Sequence, residues 1–257
     1  KALKSRYAFA EMLFNRKKYI KASEQYALMA KYSVDPKSKK HVPSKMEHDA
    51  RYASIVSIEK KVGKKKWTRE MEDRFVGRVK DYVAFHPNGK FRLDVEFKLG
   101  MIAYENKRYD EAAQSFAVLG EKYKSKKKGI QAQDIYLDIL NLKKDYGTLK
   151  EYAAKLTKRE KSKKRKVKLK QIYEQSYFLM VQRQEDDKKL EQALQGYKSF
   201  ALENSKSKLA PQAWWNAMEI HFSLGQLLEG AVAAKKYSKM FSSEKNVQDA
   251  LLKAAQS

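Results

Sequence analysis

The 257-residue chain has no cysteine, which removes disulfides, thiolate zinc sites and cysteine nucleophiles together. Its ten glycines and four prolines are too few for an all-β protein with frequent turns. The longest purely apolar run is five residues, Tyr177 to Val181. That falls far short of the roughly 20 residues needed to cross a bilayer. The chain opens on Lys1, not Met, which reads as a mature or partial chain, so the lack of a visible leader settles no compartment. Motifs of chemistry are missing as well. There is no Gly-x-Ser-x-Gly elbow, no Gly-x-Gly-x-x-Gly, and Gly63-Lys64 has neither the upstream glycine nor the hydroxyl residue of a phosphate loop. His41, His48, His86 and His221 are scattered and form no His-Glu-x-x-His. His41 and His48 are spaced to share a helical face, but Pro43 between them breaks a helix, so a solvated pair is the plainer reading. Glu185-Asp186-Asp187 could attract a cation; among Lys188 and Lys189 it reads instead as a solvated turn. The expectation is a protein without catalysis, metal or cofactor.

What is present is helical. Ala, Leu, Lys, Glu and Gln dominate, and these lose little rotamer freedom in a helix. Hydrophobic residues make up 42% of the chain and aromatics 12%, enough for a packed core despite 34% charged residues. The pattern also repeats. In 91–123, Leu99-Gly100, Tyr104, Tyr109, Ala112, Phe116 and Leu119 fall at spacings that match the tetratricopeptide pattern. Small Gly100 and Ala112 let two helices approach, and the aromatics fill the space around the crossing. Phe9-Ala10, Phe14, Tyr19, Ala22, Tyr26 and Met29 repeat the register, as do Ala217-Met218, Phe222, Gly225, Leu227 and Ala231. Leu190, Ala193, Tyr197 and Phe200 give a further second helix. Residues 50–62 with 71–82, and 130–142 with 146–156, are helical by periodicity alone. The expected fold is therefore all-α: a single α-solenoid over 1–257 of about six helix pairs (1–33, 43–86, 90–124, 128–158, 165–203 and 209–242) and a capping helix at 244–256. Ala112, Ala153, Ala193 and Ala231 are expected to be equivalent, about 40 residues apart. Asp35-Pro36, Pro43-Ser44, His86-Pro87-Asn88-Gly89 and Ala210-Pro211 punctuate the units.

The junctions Tyr82 to Phe91 and Ser199 to Ala213 each run from an aromatic-ended helix through a short polar turn into the next helix. In this they are similar to the repeat junctions of bacterial cell-envelope tetratricopeptide proteins, of the Tol-Pal coordinator and outer-membrane assembly lipoprotein type. That resemblance implies a periplasmic or envelope-associated adaptor, with a cytoplasmic protein as the alternative. It also implies that the first helix of each pair lines a concave face. The groove positions carried over are Tyr7, Glu11 and Phe14, then Lys98, Met101 and Tyr104, then Trp215, Glu219 and Phe222. The expected partner is a protein or peptide segment anchored by aromatics. For Tyr104 and Phe222 the plainer reading is core between repeats. Trp214 and Trp215 point about 100° apart on a helix, so one of them is expected to be partly exposed. The slots that would hold a C-terminal carboxylate in chaperone-binding relatives carry Tyr7, Glu11 and Asn15, and Lys98, Met101 and Glu105. The carboxylate clamp is therefore expected to be absent.

Charge is the last feature. Lys and Arg number 56 against 31 Asp and Glu, a formal net charge of +25, and only eleven of the cations are Arg. Lysine is a solvated point charge where arginine is a bidentate fork, so the excess favours attraction to polyanions over sequence readout. The runs lie at 37–40, 60–66, 122–128 and 155–170. Lys64, Lys65, Lys66, Lys126, Lys127, Lys128, Lys163, Lys164, Arg165 and Lys166 would form a basic edge if successive turns lie together. Ordinary surface solvation, an anionic surface or acidic protein, and RNA or DNA are the candidate explanations. The 155–170 run holds no aromatic residue, which disfavours base stacking.

Overall fold

The computed structural model describes residues 2–33, 37, 40, 42 and 44–256. Lys1, His41, Pro43, the Asp35-Pro36 boundary and part of the 37–40 run lie outside the described residues. Among the described residues there are thirteen helices and no strand. They are α1 (Ala2–Asn15), α2 (Tyr19–Lys31), α3 (Lys45–Val62), α4 (Arg69–Phe85), α5 (Arg92–Glu105), α6 (Tyr109–Lys122), α7 (Lys127–Leu142), α8 (Tyr146–Arg159), α9 (Lys163–Asp186), α10 (Leu190–Glu203), α11 (Ala210–Ser223), α12 (Leu227–Met240) and α13 (Val247–Gln256). The start signals are local. Ser44, Thr68, Asp145 and Ser162 accept a hydrogen bond from the N–H three residues on, at 3.1, 3.4, 3.2 and 3.4 Å. Pro211 sits in the first turn of α11, where its missing N–H leaves no bond unmade.

One turn recurs five times. After α1, α5, α7, α9 and α11 the chain reverses over three residues, with the middle one at positive φ: Lys17 (57°), Lys107 (60°), Lys144 (55°), Lys188 (61°) and Gly225 (70°). In each, that residue's N–H reaches back three residues and the next N–H reaches back five, at 2.9–3.0 Å. These bonds close the last carbonyls of the helix. The link from α3 to α4 is different, longer and turned at Gly63 (φ 61°).

The recurrent turn supplies an absolute register. Five residues beyond its middle, Ala22, Ala112, Leu149, Ala193 and Gly230 occupy the same buried slot. Ala153 and Ala231 are thus not equivalent to Ala112 and Ala193. Leu149 and Gly230 are, and the true spacing alternates with the length of the first helix, which reaches 24 residues in α9. Alanine at a buried helical position is too common a mark to fix register alone.

The chain divides into two compact units, Lys1–Ile139 and Leu140–Ser257. In the first, consecutive helices pack side by side around Tyr26, Phe75, Tyr82, Ile102 and Phe116, all essentially without solvent exposure. In the second, α8 to α13 pack in chain order, around Val181, Tyr197, Phe200, Trp214, Met218 and Tyr237.

Candidate functional site

Counting back from the turns sorts the nine groove candidates. Tyr7 and Trp215 lie ten residues before the turn centre, and in α5 that position is Phe97, not Lys98. All three are half-buried aromatics packed on their own hairpin: Tyr7 edge-on to Tyr26 at 5.5 Å, Phe97 to Phe116 at 5.4 Å, Trp215 to Tyr237 at 5.7 Å. Phe14, Tyr104 and Phe222 lie three before the centre. Phe14 meets Tyr19 at 5.2 Å, Tyr104 meets Tyr109 at 5.8 Å, and Phe222 covers Gly230 so closely that a Cβ there would be 2.4 Å from its ring. These aromatics hold the two helices of a hairpin together. The Tyr104 hydroxyl also donates to Asp138 at 2.5 Å, and chiefly this bond pushes its pKa up to about 12. Glu11 accepts from the Tyr26 hydroxyl, and Glu219 from the Lys253 ammonium. Trp214 is the buried tryptophan, donating to the Ala233 carbonyl at 3.0 Å, and Trp215 is the partly exposed one.

Lys98 and Met101 are different. They line an open pocket of about 330 Å³ between α3 and α5, with Tyr52, Glu59, Phe97, Glu105 and Lys128 also on its walls. The pocket pairs apolar surface with fixed charges. Lys98 lies 4.0 Å from Glu59 and 5.8 Å from the Trp67 ring; Lys128 binds Asp94 at 2.5 Å. Burial raises the Glu59 carboxyl above its usual value, with Lys98 pulling the other way. Tyr52 stacks on Phe91, centroids 3.7 Å apart. A side chain with an apolar body and a charged end would find both kinds of surface here.

A second cluster was not legible beforehand. Glu47 and Arg51, one turn apart on α3, are both buried and bonded to each other. Arg51 also binds Asp81 of α4 and lies over the Phe85 ring at 3.7 Å. His86 Nε2 is 2.9 Å from Glu47 Oε2, and His48 Nε2 is 2.8 Å from the Tyr82 hydroxyl. The two imidazoles meet edge-on at 4.6 Å. Burial lowers the His86 pKa, with Glu47 opposing. The network ties α3 to α4 and to the turn before α5, where the recurrent turn is missing. Its sequence signal was Glu47 and Arg51 four apart among polar neighbours, which reads as an exposed helix face until α4 covers it. Among the described residues no group of three or more His, Cys, Asp or Glu could hold a metal. Glu185, in the acidic triplet, accepts from the Tyr197 hydroxyl at 2.8 Å.

The basic residues do not form one edge. Asp49 near the start of α3 meets Lys90 just before α5, and Glu59 near the end of α3 meets Lys98, so α3 and α5 run parallel. Lys64, Lys65 and Lys66 follow α3 and lie at its far end, whereas Lys128 meets Asp94 at the start of α5. The two clusters occupy opposite ends of helices about 20 Å long, by the 1.5 Å rise per residue. They fall apart because alternate turns of antiparallel helices lie at opposite ends. Nor do all the runs complement a helix dipole. Lys127 and Lys128 open α7, and Lys163 to Lys166 open α9, at the positive end where cations are disfavoured.

No family model matches the chain, and no curated protein does. Among solved structures it is similar to the apo form of RapI, with 9% sequence identity over 96% of this chain and 78% of that one, TM-score 0.31. It is also similar to a tetratricopeptide repeat protein from Parabacteroides merdae ATCC 43184, with 10% identity over 98% of both chains, TM-score 0.29. With scores this low, neither likeness decides fold detail or role. No described helix is long and apolar enough to cross a membrane.

Proposed function

We propose that the chain is a non-catalytic, tetratricopeptide-like scaffold that binds a segment of a partner protein in the pocket between α3 and α5. The observation that carries this reading is the convergence of Lys98 and Met101 with Tyr52 and Glu59 on one open pocket. Apolar walls supply affinity, while Lys98 and Glu59 discriminate by charge. The remaining groove candidates are engaged by neighbouring helices of this chain, so the partner's contacts are concentrated in the first unit. An envelope setting rests on the junction resemblance alone, and the pocket reading is independent of it.

The test is site-specific photo-crosslinking in the native host. A benzophenone side chain at Lys98 should trap one discrete protein, and Met101→Glu should abolish that product. The same probe at Val118, 64% exposed on α6, should trap nothing discrete. Equal trapping at both positions, or trapping unaffected by Met101→Glu, would refute the assignment.

A further inference from the structure

The charge excess of the second unit is concentrated in one place. Residues 140–257 carry 24 Lys or Arg against 13 Asp or Glu; ten of those cations and one carboxylate fall within 155–170. The remainder is near balance, 14 against 12. A generally lysine-rich surface would not segregate in this way. The segment forms the last turns of α8, a short link and the first turns of α9: the tip of one packed hairpin.

The tip is built to stay charged. Its one carboxylate, Glu160, accepts the Ser162 N–H at 2.8 Å and the Arg165 guanidinium at 2.5 Å, and these bonds hold its carboxyl below the usual range. Lys158, Lys161, Lys163, Lys164, Lys166 and Lys168 are exposed and make no ion pair among the described residues. On α9, at about 100° per residue, the cations from Lys163 to Lys170 spread over more than half of the helix circumference. Leu169, which is buried, lies in the gap between Arg165 and Lys166. Side chains so spread share no lateral direction. They share the axial one, because helical Cα–Cβ bonds tilt toward the N-terminus, which here is the tip.

We propose that the α8–α9 tip docks end-on against a planar anionic surface, the headgroup layer of an anionic phospholipid bilayer. A plane can meet every ammonium that points along the axis, whereas a lateral partner meets only part of the arc. Lysines predominate over arginines, the Arg165 fork is bound by Glu160, and there is no aromatic platform, which suits delocalised headgroup charge better than base or phosphate readout. With no apolar anchor beyond Val167, attachment is electrostatic and reversible.

The experiment is co-sedimentation of the full chain with vesicles of phosphatidylcholine, alone or with about one third phosphatidylglycerol, where each surface lysine strengthens binding severalfold. Binding is expected only to the anionic vesicles and should vanish in high salt. Lys161→Gln, Lys163→Gln, Lys164→Gln and Lys166→Gln combined should weaken it at least ~10-fold. A charge-matched control, Lys64→Gln, Lys65→Gln, Lys66→Gln and Lys127→Gln, should change it less than ~2-fold. Circular dichroism checks that both variants keep the helical fold. Equal loss in the control, binding to neutral vesicles, or displacement of the vesicles by duplex DNA at equal phosphate concentration would each overturn the proposal.

Discussion

The helix junctions can be tested by one substitution made at two glycines. Gly77 in α4 has no heavy atom within 4 Å of where a Cβ would stand. Gly129 in α7 would place its Cβ 1.9 Å from the Tyr123 carbonyl oxygen. Glycine to alanine favours a helix by up to about 1 kcal/mol in either place. At Gly77 nothing opposes this, so Gly77→Ala should stabilise by roughly that amount. At Gly129 a carbon–oxygen contact normally sits at about 3.3 Å or more, so the backbone leaving α6 must retreat by over an ångström. Overpacking of this kind costs about 1–3 kcal/mol, and backbone yields less readily than a side chain, so the upper part of that range applies. Gly129→Ala should therefore destabilise by a net ~1–2 kcal/mol, and at ~2–4 °C per kcal/mol the two variants should melt on opposite sides of the parent. Trp67 is the sole tryptophan of the first unit, buried against Phe75 at 5.1 Å between centroids. In a background with Trp214 and Trp215 changed to Phe, its fluorescence follows that unit through urea unfolding. If Gly129→Ala unfolds at or above the parent midpoint, the α6–α7 junction is not closed as described.

Two further outcomes follow from the buried network. Arg51→Ala removes the guanidinium that balances the buried Glu47 carboxylate, leaving it to His86, and should cost about 3–5 kcal/mol, far more than Arg74→Ala at the exposed pair with Glu70, read by the same urea midpoint. Burial depresses the His86 pKa below its ordinary 6.5, so the unfolded chain takes up the proton first. Stability from this group is complete above pH 6.5 and is lost as pH falls through 6.5 toward the folded value; His86→Gln should flatten that limb, and an unchanged profile would refute the assignment.

Much of this was readable in the residues. Helix-forming composition and apolar periodicity pointed to an all-helical chain, because each helix buries one stripe whatever its neighbours are. The pair around α7 and α8 looked degenerate because Leu149 fills the slot that is Ala22, Ala112 or Ala193 elsewhere. Its turn at Lys144 is nevertheless identical in form. Lysine gives no hint of positive φ, so a signal carried by backbone conformation was invisible in four of the five turns.

The site was less legible. The aromatics Tyr7, Phe14, Tyr104 and Phe222 are visible as a ladder, but whether an aromatic faces a partner or its own hairpin depends on the helix beside it. The Glu47, Arg51, Asp81 and His86 network joins residues from two helices and a turn. The basic runs are obvious in composition, yet the alternation of turns sends Lys64 to Lys66 and Lys126 to Lys128 to opposite ends. Sequence alone determined the helical class and the absence of recognisable catalytic motifs, since these follow from local propensity and residue identity. Tertiary structure decided which side chains share a pocket, which charges are neutralised and which lysines converge, because those outcomes depend on how helices far apart in the chain lie against one another.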